Sequence, residues 1–467
     1  MNYRKIQRWP AACLMVSAVA GSVASTSLYG GPLTRASSLD AKSVGLPAGI
    51  PTVDEAIDEF RRGRNGRALE LLKTATARRP DLPPAKLMLA RMMLASGQDV
   101  QGRAILEEVV AEHPDHSGAY VLFGSLALAE GRVADASLQF ERAQSLAAKE
   151  VSASTSPQAK EVRVQCASGL ATIAERRRAW RDAMGILSGW LALEPSNGPV
   201  RQRLARALVS LGRVDEAYKH LQRAVQDDPK LEPAAVGVGR FLAEAGQREQ
   251  AGRWLERAVQ ESPKHAGANI ALATWFYQGD ELARARALAE AAEGLEPRST
   301  RAKLLLAMIG RRSKDFGSAE AHLRAILQES PADYVASNQL SLVLADQSDE
   351  AKRTQAVALA ESNARQYPKL AEALATLGWA YSRLGRWDEA HQALRAASPE
   401  GRATPDTAYY LALVLEERGE HEEAVRLVRS ALGAPPGLFA LREDAKKWID
   451  GRSPPGGSTP TTPRPAP

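Results

Sequence analysis

Cysteine is almost missing from this chain of 467 residues: Cys13 and Cys166 are the only two. That excludes a disulfide framework and a cysteine-based zinc or iron–sulfur centre. Histidine is thin as well, seven scattered residues, too few and too dispersed for a multi-histidine metal site. No Gly-rich phosphate loop followed by Lys-Ser/Thr is present. His421-Glu422 opens like a zinc-protease helix, but Val425 stands where the second histidine is needed. No metal and no cofactor are therefore expected. Aromatics make up only 5% of the chain, and past residue 24 there is no run of about 20 apolar residues that could cross a bilayer.

Net charge is also modest. The formal value is +6, and Arg4, Lys5 and Arg8 supply three of those charges within the first ten residues. Without that segment, 6 − 3 leaves +3, which gives no global case for nucleic-acid binding. The same three cations precede Ala11 to Ala24, a short apolar stretch of small residues (AACLMVSAVAGSVA). A basic start followed by a short apolar run reads as a secretory signal over 1–24, with small-residue cleavage sites after Ala20 and Ala24. An uncleaved N-terminal anchor is the alternative, and it would be the chain's one membrane attachment. Either way the protein is expected to be exported, periplasmic or envelope-associated. Cleavage would leave Cys166 as the only cysteine, read as a buried small hydrophobe rather than a nucleophile. Residues 25–50 read as a linker. Residues 451–467, rich in Pro, Gly and Thr, read as a disordered tail.

What the chain does have is a period. Pro195, Pro229, Pro263, Pro297 and Pro331 stand 34 residues apart, Pro80 and Pro114 repeat the step, and Pro368 to Pro436 spans it twice with Arg402 at the missing rung. A fixed period of this size signals a solenoid of stacked units. Twelve residues before the rungs stand Ala68, Ala136, Ala183, Ala217, Ala251, Ala285, Ala319, Ala356, Ala390 and Ala424, with Gly102 as the one exception. Seventeen before come Gly63, Gly97, Gly131, Gly212, Gly246, Gly385 and Gly419. Glycine permits the left-handed residue that ends one helix. Alanine fits where two helices touch. Proline stops the second helix. Each unit is thus expected to be an antiparallel helix pair, helical over most of 52–450 and without β-sheet.

Leu374-x₂-Leu377-Gly378-x₂-Tyr381, and Tyr120-x₂-Phe123-Gly124 followed by Ala136-x₃-Phe140, carry a resemblance to the tetratricopeptide repeat family. The resemblance implies an all-α fold: a right-handed α-solenoid of about 11 helix pairs over 51–450, closed by a capping helix near Gly437 to Asp450. Two irregularities are expected: about 13 extra residues near Ala147 to Glu161, and three near Gln347 to Lys352. Nearly every residue is committed to helix pairs, which leaves no segment for a catalytic domain, so no enzyme activity and no catalytic residue are expected.

In the resembling family the first helices of the pairs line a groove that holds a partner segment. That register implies partner binding by Arg203, Arg206, Arg240, Arg301, Arg311, Arg312 and Asn338, and towards the C-terminus by Trp379, Tyr409 and Tyr410. Arginine offers a planar donor fork for carboxylates, and aromatics serve as anchors. Acids such as Glu244, Asp346 and Glu416 fall on similar faces, so the alternative is that these arginines are ordinary solvated positions. Trp379 and Tyr410 could equally pack on a neighbouring pair. Residues 338–341, 356–368, 375–381 and 385–390 are together similar to a two-unit stretch of tetratricopeptide proteins of bacterial exopolysaccharide and protein-sorting export systems. The implied function is a non-catalytic scaffold for protein partners, through extended or acidic segments, in a bacterial envelope assembly. The alternative is binding of an acidic polysaccharide. No nucleic-acid partner is implied.

Overall fold

The structure, a computed structural model, describes residues 44–151, 157–434 and 439–452. The expected signal segment, most of the expected linker and nearly all of the tail lie outside the described residues. The described chain is helical throughout, with no strand among the described residues. It divides into two compact blocks, 44–254 and 255–452.

Eleven helix pairs follow one another. The first block carries α1 (Pro51–Arg61), α2 (Asn65–Arg78), α3 (Ala85–Ala95), α4 (Asp99–Glu112), α5 (Ser117–Ala129) and α6 (Val133–Val151). It continues with α7 (Pro157–Arg176), α8 (Trp180–Leu193), α9 (Gly198–Ser210), α10 (Val214–Asp227) and α11 (Ala234–Glu244). Helix α12 (Arg248–Glu261) runs across the division. The second block carries α13 (Ala266–Gln278), α14 (Leu282–Leu295), α15 (Thr300–Arg312), α16 (Phe316–Glu329), α17 (Tyr334–Asp346) and α18 (Glu350–Gln366). Then come α19 (Ala371–Arg383), α20 (Trp387–Ala396), α21 (Pro405–Glu417), α22 (His421–Leu432) and a single closing helix, α23 (Arg442–Asp450).

Each sequence device acts as its chemistry requires. The rung prolines from Pro80 to Pro368 stand two residues past the second helices, and the residue between leaves the helical region. Glu194, Glu296 and Ser330, each preceding a proline, sit at φ near −132° to −138°. The seven turn glycines all adopt φ between 73° and 81°. Three turns use another residue in this left-handed conformation, Arg178, Asp280 and Lys314. A side chain there costs roughly 1–2 kcal/mol. The ten alanines twelve residues before the rungs are each fully buried at 0% exposure. At the contact between α19 and α20 the helices touch even more closely. A Cβ built on Gly378 would lie 2.5 Å from Leu394 Cγ and 3.1 Å from the Ala390 carbonyl oxygen.

Both irregularities are absorbed by longer helices. Helices α6 and α7 run to 19 and 20 residues where α8 has 14, on either side of residues 152–156, which lie outside the described residues. Helix α18 has 17 residues against 14 for α16, and Asp349 caps its start by accepting from the Ala351 and Lys352 amides. The described end of the expected linker packs on the first pair. Val44 and Leu46 are buried there, and Arg91 donates to the Gly45 carbonyl at 2.7 Å. At the other end the closing helix is shorter than the sequence implied. It starts at Arg442, while Phe439 and Ala445 are buried to 0% and cover the last pair. The Asp406 carboxylate fixes the approach to it by accepting the Ala440 amide at 3.1 Å.

Candidate functional site

The ten residues expected to bind a partner all lie on first helices, but the two blocks treat them differently. In the first block, Arg203 on α9 reaches back to α7. Its guanidinium meets the Glu175 carboxylate at 2.8 Å and donates to Thr172 Oγ1 at 3.2 Å, over the face of the Trp190 ring. Both charges are nearly buried, with side chains 10% and 8% exposed. One helical turn further, Arg206 pairs with Glu244 of α11 at 2.8 Å, in the open, at 40% and 43% exposure. Arg240 of α11 pairs with Glu232, also partly exposed. This face is thus anchored by one buried ion pair and carries two accessible ones.

In the second block the corresponding side chains turn on one another. Arg311, at the end of α15, pairs with Asp346 of α17 at 2.7 Å. Asp346 also accepts the indole N–H of Trp379 at 2.8 Å. Trp379, on α19, stacks on the Tyr410 ring of α21 with centroids 4.3 Å apart. The Tyr410 hydroxyl in turn accepts from Arg311 at 2.9 Å. Four side chains from four successive first helices thereby close one ring of contacts. Burial opposes the charge on Arg311, yet the carboxylate beside it holds the guanidinium pKa well above its usual value. Burial pushes the Tyr410 hydroxyl up and that of Tyr409 up to about 12, so both stay protonated at ordinary pH.

Arg312 donates to the Tyr277 carbonyl at 2.8 Å and pairs with Asp280 at 2.5 Å. Tyr409 meets Phe439 edge-on, centroids 5.8 Å apart. Asn338, at 0% exposure, donates to Glu372 at 3.0 Å. Arg301 stands half-buried at the start of α15 and is engaged with the chain.

Part of the set is thus engaged within the protein. Arg311, Arg312, Asn338, Trp379, Tyr409 and Tyr410 are buried among the chain's own groups. The physical reason is that two stacked rings and a fully paired guanidinium remove apolar and charged surface from water together. Arg203 likewise braces α7 against α9. Arg206 and Arg240 keep access to solvent. The acids on similar faces prove to be partners: Glu244 for Arg206, Asp346 for Arg311, and Glu416 for Arg452 at 2.7 Å. Glu175, Glu232, Asp280 and Glu372 were not anticipated. For Asp280 and Glu372 the signal was the period itself, since they stand 32 and 34 residues from Arg312 and Asn338, whereas Glu232 lies only eight residues from Arg240, inside the same repeat.

Among the described residues, no group of three or more His, Cys, Asp or Glu could hold a metal ion, and no helix is long and apolar enough to cross a membrane. Two family models, both described as tetratricopeptide repeat, match residues 59–117 and 176–238, and 270–334 and 375–438, more than half the chain together. The chain belongs to the tetratricopeptide repeat family. Its fold is the tandem-pair α-solenoid of that family, whose members generally serve as protein-interaction scaffolds. No curated protein matches it in sequence. Among solved structures, the Cut9–Hcn1 hetero-tetramer of the APC/C is similar at 14% identity, covering 88% of this chain and 98% of that one, with a TM-score of 0.41. A tetratricopeptide repeat protein from Parabacteroides merdae is 14% identical over 62% of this chain and 98% of its own, TM-score 0.33. YrrB, titled a tetratricopeptide protein with an unusual peptide-binding site, is 15% identical over 44% of this chain and 96% of its own, TM-score 0.31.

Proposed function

We propose that this tetratricopeptide protein is a non-catalytic scaffold that holds one or more protein partners in a bacterial envelope assembly. The observation that carries the reading is the accessible ion pair Arg206–Glu244, beside the partly exposed Arg240–Glu232 and braced by the buried Arg203–Glu175 pair. Exposed pairs of this kind contribute only about 0–1 kcal/mol. Opening them to re-pair with a partner's charges therefore costs little, while the buried pair beneath keeps the helices in place. The envelope location rests on the basic and apolar pattern of residues 1–24.

An acidic polysaccharide has less support as the occupant. Arg203, Arg206 and Arg240 each already face an acid of this chain, so a polyanion would have to displace Glu175, Glu244 and Glu232. Affinity purification from envelope extracts at low salt should recover a stoichiometric protein partner, and Arg206→Ala with Arg240→Ala should weaken its capture. A chain that recovers no partner under gentle conditions would overturn the reading. Tight, salt-sensitive binding of a uronate-containing glycan, lost in the same variant, would replace it with the polysaccharide.

A further inference from the structure

Three helix-pair turns place a residue other than glycine in the left-handed conformation, and they do so unequally. Asp280, at φ 68°, uses its carboxylate to pair with Arg312, and Lys314, at φ 60°, uses its ammonium to pair with Asp444 at 3.0 Å. In both turns the strained backbone is offset by an ion pair to another element. Arg178, at φ 56°, has the same strained backbone and no such return. Among the described residues, no acid lies within ion-pair distance of it.

Its surroundings share that excess. Arg176, Arg177, Arg178 and Arg181 are all exposed, and none of the four is paired among the described residues. Glu175, the adjacent acid, is already taken by Arg203. Asp182 is the one acid inside the stretch 176–182. The turns on either side along the chain are neutralised internally: Arg132 pairs with Glu130 and Asp135, and Arg213 pairs with Glu216. Helix stabilisation accounts for part of the charge only. Arg176 and Arg177 sit at the negative end of α7, where cations are favoured, but Arg181 sits in the first turn of α8, at the positive end, where they are not.

We propose that the α7–α8 turn is a docking point for an acidic segment of a protein partner, with Arg178 held in a strained turn because its guanidinium pairs with that partner. The proposal rests on the scaffold reading above and adds the surface and the chemistry. Arginine forks match carboxylates in paired hydrogen bonds, so closely spaced Asp or Glu side chains fit this cluster. A membrane surface fits less well. The large apolar side chains that are exposed among the described residues are Val100, Leu138, Leu295 and Leu370, none of them in this turn, so nothing beside the cluster is placed to enter lipid.

The test is fluorescence anisotropy of the full chain with a fluorescein-labelled peptide of alternating Glu and Ser, at low and high salt. Arg178→Gly removes the strain and the charge together, so it should keep or raise the melting temperature while weakening the peptide about tenfold. Changing Arg176, Arg177 and Arg181 to Gln in that variant should abolish binding, and added salt should do the same to the parent. Unchanged affinity in the fourfold variant would overturn the proposal, as would preferential binding of phosphatidylglycerol vesicles or of a polyuronate over the peptide. The scaffold reading fails separately, if no partner is captured by a chain that still binds the peptide.

Discussion

The guanidinium of Arg311 donates to the hydroxyl of Tyr410 at 2.9 Å, although the two stand 99 positions apart in the sequence. The contact spans from α15 to α21, and Asp346 and Trp379 fill the interval. Removing one partner of this buried set leaves a charge without compensation. Asp346→Ala is therefore expected to destabilise the second block by about 3–5 kcal/mol. Arg311→Met combined with Asp346→Leu is expected to cost clearly less. Urea unfolding of the three chains checks the order, and equal losses would mean that the charge pairing is not what matters there.

Glycine at 378 sets the spacing of α19 and α20. Gly378→Ala forces a methyl towards Leu394 Cγ and the Ala390 carbonyl, and overpacking of this kind costs about 1–3 kcal/mol. Ala285→Trp, at a site with 0% exposure, is expected to be at least as damaging, whereas Glu256→Trp, at a half-buried position of α12 whose partner Arg284 is a surface residue, should cost clearly less. Thermal melts of the three variants decide the helix register, and similar melting temperatures would contradict it.

Much of this was legible in the sequence, for a local reason. Gly385 must turn left-handed, Ala390 must be small, and the residue before Pro331 must be extended; each is dictated within a few positions of the chain. The period multiplied these local signals until their register was unmistakable. The fate of the first-helix side chains was not legible. Trp379 and Tyr410 have the types expected of ligand anchors, and whether they meet a ligand or each other depends on how closely successive pairs approach. Nothing in a 34-residue unit encodes that. Arg206 stayed accessible and Arg311 did not, and the two differ in register: three repeats before Arg311 stands Val209, itself buried, whereas three repeats after Arg206 stands the half-buried Met308.

Glu372 provides a pH signature. Burial raises its carboxyl pKa above the usual value of 4.5, although the Asn338 amide donated to it acts in the opposite direction. The folded chain then holds this proton more tightly than the unfolded chain does. The group's contribution is fully present below the ordinary carboxylate range and is lost as pH rises through the raised value. Glu372→Gln should accordingly be more stable than the parent at pH 7, and the difference should disappear in acid. Its amide could also serve the Asn338 Oδ1, which has no hydrogen-bond partner among the described residues. Denaturant unfolding at both pH values checks this, and an advantage that grows towards low pH would contradict the sign.

Cys166 is fully buried, and burial pushes its thiol up to about 12. In a chain with Cys13 changed to Ser, a thiol reagent at pH 8 should label Cys166 only as fast as the first block opens. Labelling at the rate of a free thiol, without denaturant, would place the side chain at the surface.

The most direct test of the scaffold function is site-specific photo-crosslinking in the native envelope, with the probe residue placed in turn at Arg206, at Arg240 and at the half-buried Glu256 of the second helix α12. Discrete protein adducts identified by mass spectrometry are expected from positions 206 and 240 and not from 256. No protein adduct from either arginine position, or the same adducts from all three, would contradict partner binding by the first-helix face.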